Sequence, residues 1–303
     1  MTTPYYKPSG RFTFNFFLLY VLLMLVSIPV LSFAYTYLVH FIPFIYANVI
    51  ITVCCGLAMG YIVSLAVKKG KARNPAIVVI LTIVASCVLY YVQWCVYIPL
   101  VVSEVYGFTM TFGERLWETL YYFIYPEATF EAALIINEYG AWTLNEIEIT
   151  GVFLLIIWIV EFIVIAVAAV VISRSQAVHP YSEEADGWYV TDGTVEIDIP
   201  ADLDAMKAEL ESGDFNGLIQ HAINGHNDDE NYIRLTFHKP PESMSSEPYY
   251  MNIDKRTVEK TGKGKRKNKV KAGNYLRFII VDAKSTDEII KNAVNAGNAK
   301  ESL

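Results

Sequence analysis

Cysteine is absent from the sequence after residue 95, and all four cysteines (Cys54, Cys55, Cys87 and Cys95) lie within apolar stretches. A disulfide framework or a thiolate metal site in the water-exposed parts is therefore excluded. The sequence also lacks G-x-S-x-G, H-E-x-x-H, G-x-G-x-x-G and kinase-type motifs. The motifs give no support to an enzymatic activity, and they imply no cofactor.

Long apolar runs are missing from the sequence after residue 174, whereas four of them precede it. Each run reaches the ~20 residues that a bilayer-crossing helix requires. The fold class that follows is a membrane α-helical bundle of four transmembrane helices followed by a small soluble α+β domain. The predicted spans are 14–37, 44–67, 76–101 and 152–173; the predicted regions are 1–174 (transmembrane), 175–187 (linker) and 188–303 (soluble domain).

Basic residues are almost absent from the segment 102–150, which carries eight glutamates and only Arg115. Lys and Arg favour the cytoplasmic side of short loops. They cluster before the first span, between the second and third spans and after the fourth, at Lys7, Arg11, Lys68, Lys69, Lys71, Arg73 and Arg174. We therefore predict that both termini are cytoplasmic and that 102–150 is external.

The first span has an alternative interpretation as a signal peptide. Its basic start and the small residues around Ser32-Phe33-Ala34 fit a cleavage site. Signal peptides, however, have apolar regions of only ~7–15 residues. The longer run favours an uncleaved helix.

The external segment is predicted to contain two short helices. Thr111-Phe-Gly-Glu114 fits a capping box, and apolar residues follow at helical spacing until Pro126. A second helical pattern covers 128–137. These helices are expected either to lie along the outer membrane interface or to cap the four-span bundle.

One carboxylate, Glu161, lies near the middle of the fourth span. Ionisable groups at this depth are costly and usually face protein or water. We predict a protonated side chain that bonds to a polar partner such as Gln93 or a tyrosine. Counting inward along the spans places Tyr90 and Ser27 at similar depth, so the predicted intramembrane polar site is Glu161, Gln93, Tyr90 and Ser27. Its role is either a structural tie between helices or a proton relay or ion site.

The soluble half shows strand and helix patterns in a definite order. Alternating apolar residues predict strands around 195–199, 233–237, 249–253 and 276–280, the last with Leu276, Phe278 and Ile280 on one face. Helical spacing predicts two helices after the first strand. A capping box at Ser285-Thr-Asp-Glu288 predicts a last helix around 286–296. This order indicates helices over one face of a mainly antiparallel sheet.

A basic segment between the last two predicted strands is a candidate for binding anionic lipid head groups. Near a membrane surface each basic residue contributes ~1 kcal/mol to such binding. The alternative is a solvated hairpin tip. RNA fits less well, because no aromatic residues alternate with the charges. The candidate residues are Lys263, Lys265, Arg266, Lys267 and Lys269.

His221 and His226, followed by acidic residues 228–230, are weak candidates for metal ligands. Their spacing matches no established metal site, and a polar helix end followed by a turn is the commoner explanation. We therefore predict no metal.

Three stretches resemble a group of uncharacterised bacterial multi-span proteins: Gly70-Lys-Ala-Arg-Asn74, Asn137-Glu-Tyr-Gly-Ala-Trp142 and Trp158-Ile-Val-Glu161. The resemblance covers about residues 10–190 and implies a bacterial inner-membrane location without a known activity. Members of the group often carry a Cys-x-x-Cys pair after the last span. The matching stretch 179–188 has no cysteine, which removes any metal role there.

Two hypotheses for function follow. The first is a non-enzymatic membrane protein whose bundle anchors a cytoplasmic binding or assembly domain, with an unidentified protein or a second copy as partner. The alternative is a small oligomeric transporter or a proton- or ion-coupled membrane protein that uses Glu161.

Overall fold

A computed structural model describes residues 4–42, 44–140, 143–144, 147–223, 230–241, 247–259, 269–296 and 299–301. The chain divides into two compact units, a helical unit (9–178) and an α+β unit (1–8 with 179–303).

The helical unit contains four helices that are long and apolar enough to cross a membrane, as predicted. They are α1 (Phe14–Phe41), α2 (Ile45–Gly70), α3 (Pro75–Val105) and α6 (Gly151–Ala177); between α3 and α6 lie α4 (Phe112–Ile124), α5 (Pro126–Tyr139) and a short hairpin of β1 (Thr143–Leu144) and β2 (Ile147–Glu148). Thr13 and Asn74 cap α1 and α3, and Lys71 ends α2 in a left-handed conformation. The fold fits a multi-pass membrane protein.

Helices α2 and α6 approach each other closely at two glycines. A Cβ atom on Gly56 would lie 2.6 Å from the carbonyl oxygen of Ile165, and one on Gly60 would lie 2.5 Å from that of Ala169. Gly56-Leu-Ala-Met-Gly60 is a G-x-x-x-G motif, which allows the backbones of membrane helices to touch. The motif is readable in the sequence but was not among the features predicted above.

Helices α1 and α3 are joined by hydroxyl groups that donate to backbone carbonyls. Ser32 donates to the carbonyl of Leu89 at 3.0 Å, and Thr36 donates to that of Gln93 at 3.3 Å. Interhelical hydrogen bonds in membranes contribute ~0.6–2 kcal/mol each. The two bonds also fix the register of the helices, because both pairs are four residues apart on each helix.

The segment between α3 and α6 packs along α3. The Tyr91 hydroxyl bonds to the carbonyl oxygens of Tyr122 and Phe123 at the end of α4, at 2.9 and 3.0 Å. The exposed side of α4 is apolar and includes Trp117 and Ile124, at 73% and 64% exposure. Such a surface favours the predicted position at a membrane interface. Pro126, predicted to end the first helix, is the first residue of α5.

The α+β unit contains a two-stranded sheet and a five-stranded antiparallel sheet. Its elements are β3 (Tyr181–Ser182), β4 (Gly187–Trp188), β5 (Val190–Asp198), α7 (Leu203–Ser212), α8 (Asn216–His221), β6 (Tyr232–Lys239), β7 (Tyr249–Glu259), β8 (Lys269–Val281), α9 (Ala283–Asn295) and β9 (Ala299–Glu301). The large sheet has the order β8-β7-β6-β5-β9. The predicted order of one strand, two helices, three strands and one helix is found from β5 to α9, and β3, β4 and β9 are additional strands.

Side chains from one face of the large sheet and from α7, α8 and α9 form the core of this unit. The core includes Ile197, Leu210, Phe237, Ile253 and Ile289, all at most 1% exposed. Burial of a side chain of this size stabilises by ~1.5–3 kcal/mol.

The alternation predicted for the last strand is wrong. Leu276 faces the core as predicted. The next residues of β8 in the core are Ile279 and Val281, whereas Phe278 and Ile280 do not face it. The register between β7 and β8 shifts between Met251 and Ile253, which places an extra residue in β8. A β-bulge of this kind reverses the faces of the residues that follow it.

Two further boundaries differ from those predicted. The stretch 175–187 contains the end of α6 and the β3–β4 hairpin rather than a plain linker. Helix α9 begins at Ala283, because the Asp282 carboxylate caps it by accepting from the amide of Ser285 at 2.8 Å. Ser285 is therefore inside the helix.

The N-terminal segment adds to the free edge of β8. The amide of Tyr6 donates to the carbonyl of Phe278 at 2.9 Å, and the amide of Ile280 donates to that of Pro4 at 2.8 Å. This pairing covers part of an edge strand that would otherwise be open. Four long helices lie between Tyr6 and His179 in the sequence. If each of them crosses a membrane, Tyr6 and His179 lie on the same side of it.

Candidate functional site

Glu161 is held beside Tyr90, and this contact joins α6 to α3. The Tyr90 hydroxyl donates to the carbonyl of Trp158 at 2.9 Å and also forms a hydrogen bond with the Glu161 carboxyl. These interactions bring Glu161 of α6 beside Tyr90 of α3.

The other two long helices also contribute to this site. Tyr35 of α1 interacts electrostatically with Glu161, and its hydroxyl lies 3.2 Å from that of Thr52 on α2. The Thr52 hydroxyl donates to the carbonyl of Asn48 at 2.8 Å, so it accepts from Tyr35. Tyr35 thus connects the surroundings of Glu161 to α2 through its bond with Thr52.

A series of ionisable groups connects Glu161 with the end of the bundle where α1 leads into α2. Tyr97 interacts electrostatically with both Glu161 and Glu104. The ring of His40 lies 6.3 Å from that of Tyr97, and its Nε2 atom lies 2.8 Å from Oε1 of Glu104. The Glu104 side chain is 63% exposed, whereas that of His40 is 13% exposed. We call Tyr97, His40 and Glu104 the ionisable path.

Two predicted members of the polar site, Gln93 and Ser27, form no side-chain hydrogen bond with Glu161 among the described residues. The Oε1 atom of Gln93 and the Oγ atom of Ser27 are buried, and neither has a hydrogen-bond partner among the described residues. Tyr35 is the residue of α1 beside Glu161, and Ser27 lies ~12 Å back along the same helix at 1.5 Å per residue.

The two weaker groups of candidates fall largely outside the described residues. Lys263, Lys265, Arg266 and Lys267 lie there, and Lys269 is described by its backbone alone, as the first residue of β8 opposite Glu259. His221 is the last residue of α8, and His226 is not described. Within the described part of the chain, no three His, Cys, Asp or Glu side chains are grouped so as to hold a metal.

A second polar group, the His238 cluster, lies in the α+β unit and was missed in the sequence. It consists of His179, His238, Asn252, Phe278 and Tyr6. The Asn252 side chain lies on the sheet face opposite the core, where its Oδ1 atom accepts from the amide of Phe278 at 2.8 Å. Its Nδ2 atom is 2.9 Å from Nε2 of His238.

These two bonds determine the protonation of His238. Because Oδ1 of Asn252 accepts from a backbone amide, Nδ2 must be the atom that faces His238, and it can only donate. Nε2 of His238 is therefore an unprotonated acceptor, and the proton of the neutral ring is on Nδ1. The Nδ1 atom is buried and has no hydrogen-bond partner among the residues described. Burial, with the neighbouring charges of His179 and Arg277, lowers the pKa of His238 to about 4.

No family model matches the chain, and comparisons with curated proteins and with solved structures found no match. The function is therefore argued from the residues themselves.

Proposed function

We propose that the chain is a proton-exchanging, multi-pass protein of the bacterial cytoplasmic membrane, in which Glu161 takes up and releases a proton. The observation that carries this proposal is the ionisable path, which leads from a mostly buried carboxyl to the exposed Glu104. Chains of carboxyl groups and histidines within a membrane are typical of proton relays. The path would open to the external side in the orientation that the positive-inside rule gives.

The ionisable path defines a sequence of proton transfers. Glu104 accepts a proton at the surface and passes it to the His40 imidazole, whose Nε2 atom lies 2.8 Å from Oε1 of Glu104. The Tyr97 hydroxyl can then donate its own proton toward Glu161 while it accepts another from His40. A structural tie would need the Tyr90 contact alone, so the path distinguishes the two roles of Glu161.

Infrared spectroscopy of the full-length protein in lipid tests both the protonation and the path. We expect a carbonyl band from a protonated carboxylic acid that is absent in Glu161→Gln. In deuterated buffer this band should shift quickly in the wild type and at least ten times more slowly in His40→Phe, which removes the relay group and keeps an aromatic ring. A band that does not shift, or an ionised Glu161, would leave only the structural tie.

Proton uptake by proteoliposomes under an imposed membrane potential measures the activity itself. We expect Glu161→Gln to reduce the uptake to the level of protein-free liposomes. Glu131→Gln changes an exposed glutamate of α5 in the same way and serves as the matched control. Equal uptake by Glu161→Gln and wild type would contradict the proposal.

A second candidate function is the anchoring of a cytoplasmic binding or assembly domain. The observation that favours it is the pairing of residues 4–6 with β8, which attaches this domain to the chain both before α1 and after α6. Its partner would be an unidentified protein, a second copy or anionic lipid head groups. For the lipid, Lys263, Lys265, Arg266, Lys267 and Lys269 remain the proposed contacts.

Both functions require a particular orientation, which reporter fusions can measure. Fusions after Lys71 and after Leu303 are expected to be active only as cytoplasmic reporters, and a fusion after Gly107 only as an external one. Gly107 suits an insertion because it lies in a connection with open space around it. An external C-terminus would reverse the orientation and contradict the anchoring function.

A further inference from the structure

The His238 cluster contacts both segments that connect the α+β unit to the long helices. Tyr6 lies before α1, and its ring is 6.4 Å from that of Phe278. His179 follows α6, and its ring is 5.3 Å from that of His238 and 5.6 Å from that of Phe278. One group of side chains, in which His238 and Asn252 are buried, therefore includes residues from both connections.

The cluster depends on an unusual backbone conformation at Phe278. This residue has φ +52°, in the left-handed region that non-glycine residues rarely adopt. Residues held in this region cost on the order of 1–3 kcal/mol, which the surrounding structure must offset. Here the Asn252 side chain accepts from the Phe278 amide, and the Phe278 carbonyl accepts from Tyr6. The same residue is thus bound on one side by Asn252 and on the other by the N-terminal segment.

His238 can support this arrangement only while it is neutral. Protonation would place an N–H on Nε2, directly opposite the Nδ2 donor of Asn252 at 2.9 Å. Two donors cannot share a hydrogen bond, so Asn252 would have to turn, and a turned amide could no longer accept from Phe278. Loss of that bond would release the strained residue to which Tyr6 is attached.

From this geometry we propose that the His238 cluster is an acid-sensitive clasp, which holds the N-terminal segment on β8 while His238 is neutral and releases it when His238 is protonated. The proposal is independent of proton exchange at Glu161, because it concerns another unit of the chain. It assigns a regulatory role to the connection between the sheet and α1.

The groups around His238 all favour its neutral form in the closed clasp. The charged or titratable groups acting on it are His179, after α6, and Arg277 of β8, and both disfavour a second positive charge. Asn252 is neutral, and burial raises the pKa of the neighbouring phenols of Tyr189 and Tyr250, so they remain neutral too. In the released state the histidine would regain an ordinary pKa of ~6.5.

The direction of the pH effect follows from these values. The released state binds a proton below about pH 6.5, whereas the closed state does so only near pH 4, so acid favours release between these limits. Above pH 6.5 the clasp has its full stability. At pH 5 the opening equilibrium should have risen about 30-fold, as the two pKa values require.

Hydrogen exchange of the full-length protein in lipid nanodiscs tests the proposal. We expect the amides of Tyr6 and Ile280, corrected for the intrinsic pH dependence of exchange, to lose about 30-fold in protection between pH 7.5 and pH 5. His238→Gln should keep protection at pH 7.5, since its amide oxygen can accept from Asn252, and should lose the pH dependence. His221→Gln, a histidine outside the cluster, should behave as wild type.

Two outcomes would overturn the clasp: a wild type whose protection does not change with pH, or a His238→Gln variant with an unchanged pH response. If His238→Gln is unprotected at pH 7.5 because its packing fails, exchange at the histidine C2 position in the wild type decides instead. A pKa of His238 close to 6.5 in the closed state would then exclude the mechanism.

Discussion

Replacement of Asn252 by leucine is expected to lower the free energy of unfolding of the α+β unit by ~2–6 kcal/mol. Leucine has a similarly branched side chain, but it has no polar atoms and leaves the Phe278 amide and Nε2 of His238 without partners. A buried polar group that loses its partner costs ~1–3 kcal/mol, and two groups are affected. Urea unfolding of the full-length protein in mild detergent, followed by near-ultraviolet circular dichroism, measures the difference.

Asn252→Asp separates the two bonds. An aspartate oxygen still accepts from the Phe278 amide, but it cannot donate to a neutral His238. A neutral His238 can move its proton to Nε2 and donate to the carboxylate, so at pH 7.5 we expect less than half of the loss seen with leucine. Acid should then stabilise this variant, because a protonated His238 could donate to the carboxylate, whereas acid destabilises the wild type. Wild-type stability in Asn252→Leu would show that the amide makes no net contribution.

The parts of the fold that could be predicted depend on local patterns. The spans follow from hydropathy, which depends only on neighbouring residues, and their central residues agree with the four long helices. The strand and helix order of the α+β unit follows from periodicities of two and 3.6 residues. The face of Phe278 could not be predicted, because the bulge depends on a side chain 26 residues earlier, Asn252.

In the candidate sites, too, single residues could be predicted from local patterns, but contacts between distant residues could not. Glu161 is recognisable in the sequence because a carboxylate is rare in an apolar span. Its neighbours Tyr35 and Tyr97 are not, since they depend on how α1 and α3 are rotated and aligned against α6. The His238 cluster combines residues from 6 to 278, none of which belongs to a motif. Sequence patterns therefore identified Glu161 and its neighbour Tyr90, but neither Tyr35 and Tyr97 nor the His238 cluster.

The close packing of α2 against α6 holds the part of α6 that carries Glu161. Ile165 lies one turn after Glu161 on α6, and its carbonyl is the group that a Cβ on Gly56 would meet. A Cβ on Gly60 would meet the carbonyl and Cα of Ala169, which lies one turn further along α6. The close approach at these two glycines therefore fixes α6 against α2 immediately beside the polar site. A change in this spacing is expected to separate Glu161 from the Tyr35–Thr52 pair.

Gly60→Ala is accordingly expected to destabilise the helical unit by ~1–3 kcal/mol, and Gly60→Leu by more, because the new atoms meet backbone that cannot move aside. Unfolding in mixed micelles with increasing SDS measures this loss, and proteoliposome uptake should fall with it. Gly113→Ala is the matched control: nothing lies within 4 Å of its Cβ, so stability should be unchanged or rise slightly. Adding Ala169→Gly should not rescue Gly60→Ala, since the contact is with the backbone of Ala169. Full rescue, or wild-type stability in Gly60→Leu, would show that α2 and α6 do not approach this closely in the membrane.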